Sequence, residues 1–539
     1  MVSAYRTDAL RDPTAELREL FAAHASLHDF APQVTKHFSS VFSSDDAFAE
    51  IPSLDVRNPP EAHRDRSLVR FRAMVQDTSP SPGMYLRRNA SGSLGGWGLH
   101  EDTPEDEGRN VDVSELRECN TVWAVSVPGE TDWCLDELSG PCEQSSQRHT
   151  PTKSYKYPVP EGSHIGVQVK LYDLDAAEQL KSTDLATFVG ILTKEPMDIE
   201  AESPPEVPTL HVLFTRPHQR SLLQRPYPIA SSSAVREDLI NWMASEALGG
   251  DVDAAEWVLL ASIARVESRN PPLFPPSITL SQFPSPPVPS LTPESEDQSP
   301  VLPIPALSHV LSNILPLTRT LPLSLATLNK VPFSPESKDE DLHSGVLQLP
   351  QGSVLLITEG GVREGKLIER GLLNINALQE VLSSQTLTYA FPFSSFSFPT
   401  DISCVVLTEG KKSAFFRTDL AVPLQPPTAP LRPADVSRLY KPAADVALPA
   451  PEKLAAFRDL VVGAQNGKVN VSEATSEYIQ QDFVRDRQKD KAITSDDLIR
   501  RMTVAKLYAL SMHQTELTID VWERAKAFDE RRRARVAAL

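Results

Sequence analysis

The run Gly360-Gly-Val-Arg-Glu-Gly-Lys-Leu367 has the spacing of a phosphate-binding loop, with Gly360, Gly365 and Lys366 at the diagnostic positions, and it follows an apolar strand. Such a loop gathers backbone N–H groups onto one anion, and the next residue supplies a hydroxyl for magnesium. Leu367 has no hydroxyl, and Gly371 falls in the first turn of the helix that should follow. The stretch is therefore expected to be a surface hairpin or loop. The strand before it, Ser353-Val-Leu-Leu-Ile-Thr-Glu359, reads like the acidic strand of a nucleotide-hydrolysing domain. There one carboxylate holds magnesium while another group orients water. Thr358 stands where the metal ligand belongs, so only Glu359 remains, and it is expected at a solvated strand end. Residues 251–344 contain no glycine, so no tight turn ahead of this strand can cradle phosphate. The expectation is a pseudo-ATPase with no catalytic, cofactor-binding or metal-binding residues.

Other candidates resolve into structure. Cys119, Cys134, Cys142 and Cys404 are too few and too irregular for a zinc site or a disulfide framework. His309, His343 and His513 are isolated from cysteines and from one another. Thr494 with Asp497 resembles a capping box, and Leu498, Met502, Ala505 and Ala509 form a core stripe on the helix that follows. Trp522, after an N-cap at Thr518, is expected to pack on the preceding helix. The basic tail Arg531-Arg-Arg-Ala-Arg535 reads as a solvated helix end or a nuclear-import signal rather than a phosphate contact.

The elements that would position these residues divide the chain into several units, as 539 residues allow. Residues 1–55 hold an amphipathic helix with Leu17, Leu20, Phe21 and His24 on one face. Residues 56–222 carry five alternating runs at 68–75, 120–127, 164–172, 187–193 and 209–214, which predict a small Greek-key barrel of the OB type. A polar loop at 136–160 interrupts it. Helices at 238–250 and 254–264 open a third unit, 227–420. Within it, 271–305 has twelve prolines in 35 residues and is expected to be a disordered insertion. The unit continues with a helix at 309–315, strands at 347–349 and 354–358, a helix at 375–383 and a strand at 402–407. A proline-rich linker at 423–451 leads to helices over 452–539.

With 72 acidic against 53 basic side chains, the formal charge of -19 argues against broad adhesion to nucleic acid or anionic membrane. No apolar run nears the roughly 20 residues needed to span a bilayer, and no signal-peptide pattern opens the chain, so a soluble intracellular protein is expected. A single-strand-binding module is the main alternative, with Phe71, Trp123, Trp133 and Tyr172 as stacking platforms and Arg70, Arg72 and Lys170 as cations. The many acids nearby favour protein binding. A weak P-loop NTPase is the remaining alternative.

Four segments in order carry a family resemblance: Val69-Arg-Phe-Arg-Ala-Met-Val-Gln-Asp77, Val125-Ser-Val-Pro-Gly-Glu130, Gly345–Glu359, and Ile493–Leu507 with Leu517–Lys526. Together they resemble the mini-chromosome maintenance (MCM) complex-binding protein family. The resemblance implies an OB-like barrel in the N-terminal half and a degenerate AAA+-like, MCM-like α/β domain with a C-terminal helical lid, a multidomain α/β plus β architecture. In MCM helicases the strand matching Ser353–Glu359 ends Asp-Glu, so Thr358 replaces the magnesium ligand. Thr408-Glu409-Gly410 follows the next strand where a sensor asparagine would stand, and Asp496 takes the place of a nucleotide-facing arginine.

The implied function is non-enzymatic. The chain would bind MCM helicase subunits in an assembly lacking the second subunit and regulate helicase assembly, stability or removal during DNA replication. Sister-chromatid cohesion, indirect association with chromatin and a nuclear location, with the cytoplasm as a second one, come with the resemblance. No cofactor, no membrane contact and no direct nucleic-acid contact are expected.

Overall fold

The computed structural model describes residues 2–24, 29–89, 92–99, 112–139, 152–159, 162–196, 206–217, 222–287, 303–362, 364–427 and 433–539. Cys142, the segment 140–151 of the polar insertion and 288–302 of the proline-rich stretch lie outside them. Two helices, α1 (Pro13–His24) and α2 (Ala31–Val41), bury Leu17, Phe21, Val34 and Phe38 with Trp97 from a turn and Phe214 from the sheet beyond.

Five long strands follow: β1 (Ser67–Asp77), β2 (Leu116–Ser126), β3 (Gly166–Leu171), β4 (Leu185–Pro196) and β5 (Glu206–Pro217). β1 pairs with β4, β4 with β5, β5 with β3, β3 with β2, and β2 again with β1. The ladder thus returns on itself. Alternation decides which side chains face inward: Val69, Phe71, Ala73 and Val75 of β1 meet Val122, Val169, Phe188 and Leu210 in one cluster. At the bulge between β4 and β5, a side chain on Gly190 would stand 2.2 Å from the His211 carbonyl oxygen, so the close backbone approach requires glycine.

The second half begins with α3 (Ser232–Ala247) and α4 (Val252–Ile263), the latter capped by the Asp251 carboxylate on the Ala254 N–H at 3.1 Å. Then come β6 (Ile278–Ser281), α5 (Ala306–Ile314), β7 (Thr318–Pro322), β8 (Ser353–Thr358), α6 (Glu369–Ser384), the hairpin β9 (Thr386–Phe391) and β10 (Ser394–Pro399), β11 (Ile402–Leu407) and β12 (Leu420–Pro423). Strands β7, β8, β11, β6 and β12 form a wholly parallel sheet in that spatial order. Its central strands β8 and β11 are buried on both faces, so they read as near-continuous apolar runs. Val354, Leu356, Val405 and Leu407 pack on α3, α4 and α5, while Leu355, Ile357, Cys404 and Val406 pack on α6. Burial among those apolar groups pushes the Cys404 thiol up to about 12. Helices α7 (Pro451–Asn466), α8 (Glu473–Lys489), α9 (Ser495–Ser511) and α10 (Ile519–Ala537) complete the chain.

Four segments differ from expectation. The 271–305 stretch, read as a disordered insertion, supplies β6, whose four residues are all buried between β11 and β12. The 136–160 insertion carries the end of a helix, Asp132–Ser139, and a turn that buries Lys156. The 423–451 linker contains a helix, Pro433–Leu439. Leu347–Leu349 is a buried turn rather than a strand, closed by the Gln348 N–H on the Gly345 carbonyl at 2.9 Å.

The two halves are joined through buried polar groups. Lys156 reaches Asp77 at 2.6 Å and Asp341 at 2.5 Å, and Gln348 donates to the Gln76 carbonyl at 2.8 Å. Gly129, at φ +75°, lies 3.1 Å from the Thr318 carbonyl at its would-be Cβ, and its own carbonyl accepts the Thr318 N–H at 2.9 Å. Gln76, Asp77, Gly129 and Gln348 all come from segments that carry the family resemblance.

Candidate functional site at the carboxyl edge of the parallel sheet

In an open parallel sheet, ligands bind beyond the carboxyl ends of the strands where the connections diverge to opposite sides. Here that point lies between β6 and β11, because the chain leaves β6 for the far edge at β7 and later crosses from β11 to β12. In a nucleotide site, the N–H groups after β6 would face phosphate. They are engaged within the chain. The Gln282 N–H donates to the Gly410 carbonyl at 3.1 Å, and the Phe283 N–H to the Thr408 carbonyl at 2.9 Å. Gln282 takes the left-handed conformation, φ +58°, that this turn requires.

Side chains fill the same place. Phe283 is buried and meets Tyr440 edge-on at 5.9 Å, and the Tyr440 hydroxyl donates to the Pro284 carbonyl at 2.6 Å. Burial, with Glu409 adding to it, raises the Tyr440 pKa. A side chain on Gly360 would come 2.8 Å from Pro286, so the loop after β8 abuts the proline segment.

Glu359 corrects the expectation of a solvated carboxylate. It is 6% exposed, and accepts hydrogen bonds from the Ser413 hydroxyl and from the Ala414 N–H at 3.0 Å. Ser413 in turn accepts the Phe416 N–H at 2.9 Å. The carboxylate thus organises the loop between β11 and β12. Thr358 ends β8 between Pro322 and Leu407, and its carbonyl accepts the Leu323 N–H at 2.9 Å.

The glycine-lysine run forms a surface loop. Gly365 and Lys366 are exposed, the Lys366 carbonyl accepts from Asn329 at 3.0 Å, and Asn329 Oδ1 receives the Ile368 N–H at 3.1 Å. α6 begins only at Glu369, and this acid in the first turn opposes an anion there. Asp496 sits exposed in the first turn of α9, beside the capping box of Thr494 and Asp497, and makes no hydrogen bond or ion pair to the sheet edge. Thus Thr358, Glu359 and Gly360 share the edge, whereas Lys366 and Asp496 do not join them in any hydrogen-bonded constellation.

Sequence reading missed the docking of α10. Arg535 pairs with Asp251 at 2.8 Å and Asp253 at 3.0 Å, Arg531 with Asp253 at 3.1 Å, and Arg532 donates to the Ala421 carbonyl at 3.2 Å. The tail is therefore a packed helix end and not a solvated one. The Asp251-Val-Asp253 pair at the start of α4 is its only sequence signal. In the N-terminal half, the proposed stacking aromatics Phe71, Trp123, Trp133 and Tyr172 are all buried, while Arg72 pairs with Glu130 at 2.5 Å and Lys170 with Glu195 at 2.5 Å. Among the described residues no helix is long and apolar enough to cross a membrane.

Fold and site together define a mixed α/β protein with several sheets, in which the turn after β6 is bonded to and packed against the chain's own groups. The family profile described as "Mini-chromosome maintenance replisome factor" matches residues 38–153 and 136–536, and the chain belongs to that family. Relatives named "Mini-chromosome maintenance complex-binding protein" align along nearly all of it. The Arabidopsis thaliana protein is 25% identical, covering 98% of this chain and 99% of its own. The Salmo salar protein is 26% identical over 98% and 97%, and the Homo sapiens protein 24% identical over 98% of each.

Proposed function

We propose that this chain is a non-enzymatic binding partner of the MCM helicase, built as a pseudo-ATPase. The observation that carries the pseudo-ATPase reading is the filled crevice: the Gln282 and Phe283 N–H groups are bonded to Gly410 and Thr408, and Glu359 is bonded to Ser413 and Ala414. A nucleotide would have to displace Phe283 and break those bonds. Membership of a family whose relatives are named for MCM complex binding supports the partner. The parallel order β7-β8-β11-β6-β12, with α7 to α10 following, supports a degenerate AAA+-like half with a helical lid. The ring of β1 to β5 supports an OB-like half. Its buried aromatics argue against stacking on single strands.

In this reading a helicase-like surface competes for, or caps, the face of a neighbouring subunit, within an assembly lacking the second subunit. The chain thereby regulates helicase assembly, stability or removal in the nucleus, contacts chromatin through the helicase, and contributes to sister-chromatid cohesion. Affinity purification of the tagged full-length protein, with and without magnesium-ATP, tests it. MCM subunits other than the second should co-purify in both conditions. Their absence, or a calorimetric ATP affinity in the micromolar range lost in Lys366→Ala, would contradict it.

A further inference from the structure

The hairpin β9–β10 stands out among the exposed apolar groups. Phe393 at its tip is fully exposed and Phe396 is 57% exposed. The base is firmly held. On one face Leu387 and Tyr389 are buried, and the Tyr389 ring lies 4.4 Å from Phe398. On the other face the Glu380 carboxylate of α6 accepts the hydroxyls of Thr386, Thr388 and Ser397 at 2.8, 3.1 and 3.0 Å. The tip and outer edge are thus presented by a rigid support.

β10 ends the four-stranded sheet formed by Asp341–His343, Glu336–Lys338, β9 and β10, so among the described residues no strand pairs with its outer side. Soluble proteins normally blunt such an edge with lysine, an inward charge, a bulge or a mid-strand proline. Ser394-Ser-Phe-Ser-Phe398 has none of these, and its only proline, Pro399, closes the inner end. The unpaired backbone groups specify an extended occupant, and Phe393 and Phe396 supply anchors beside it.

We infer that β10 is the docking edge for an extended segment of an MCM helicase subunit, apolar at alternate positions and neutral to basic in charge, which adds as a fifth strand. This rests on the function proposed above. The net charge of -19 opposes a second copy of this chain at the edge and favours a basic partner.

The test compares full-length wild type with Phe393→Ser and with Phe393→Ser/Phe396→Lys in binding to purified MCM complex, together with hydrogen exchange of the 394–398 amides. Phe393 touches no core, so the single variant keeps its fold. The double variant should bind about 30-fold or more weakly, as loss of a hot spot does, and the wild-type amides should become protected on binding. Equal binding by both variants, or unprotected amides, overturns the inference and leaves the proposed function standing. A wild type that binds no MCM complex overturns both. A wild-type dimer in sedimentation that Phe393→Ser/Phe396→Lys abolishes overturns it in favour of a second copy as occupant.

Discussion

Replacing Lys156 by methionine should weaken the junction between the two halves. The ammonium and its partner Asp77 are 2% and 1% exposed and stand 2.6 Å apart. Methionine keeps most of the side-chain volume, so the loss is electrostatic rather than a cavity. Asp77 Oδ1 retains Ser79, whose N–H and hydroxyl donate at 2.8 and 2.6 Å. Oδ2 loses the one ammonium that reaches it among the described residues. Asp341 retains Lys153 at 2.5 Å. Breaking a buried pair typically costs 3–5 kcal/mol, and the remaining Ser79 bonds place this one near the low end, about 3 kcal/mol. Urea unfolding followed by tryptophan fluorescence reads the loss. The double variant Asp77→Asn/Lys156→Met removes the stranded charge and should recover part of the stability, whereas additive losses would show no coupling. A Lys156→Met protein within about 0.5 kcal/mol of wild type would refute the junction as described.

Trp522→Ala should cost about 3–5 kcal/mol and lower the melting temperature, because the indole is 1% exposed and donates to Asp482 at 3.1 Å; unchanged melting would show that the contact is dispensable. Glu359→Gln should destabilise by about 1–3 kcal/mol, read in urea, without altering any ATP turnover; the reverse pattern would restore a catalytic role. His513 accepts the Ile229 N–H at 3.1 Å and donates to the Leu460 carbonyl at 2.7 Å, and burial lowers its pKa despite that second bond. Its folded value lies below the unfolded one of about 6.5, so its contribution is complete above pH 6.5 and declines as pH falls below it. A His513→Gln protein should lose part of the wild-type pH dependence of stability below about pH 6.5; identical slopes would sink the assignment.

Much of the architecture was legible because burial leaves a period in the sequence. Alternation located β1 to β5, and the two-face burial of Ile402–Leu407 made its apolar run readable to its ends. β6 was hidden by its neighbours: Pro275 and Pro276 before it and Pro284, Pro286 and Pro287 after it signal a linker, yet its own four residues contain no proline. Leu347 and Leu349 misled in the opposite sense, since they are buried side chains on a turn. The missing hydroxyl at Leu367 was plain from the residue type. The environment of Glu359 was not, because its partners Ser413 and Ala414 lie 54 and 55 residues away. The same holds for the basic tail, whose acids at Asp251 and Asp253 are nearly 300 positions earlier, so charge alone read as solvent exposure.

The most direct test mixes the purified full-length protein with purified MCM subunits in nucleotide-free buffer and measures the mass of the product by light scattering behind a sizing column. A complex of defined mass, unchanged when magnesium-ATP is replaced by magnesium alone and accompanied by no ATP turnover from this chain, is the predicted result. Separate elution of the components without nucleotide, with assembly only when this chain itself binds ATP, would contradict the account.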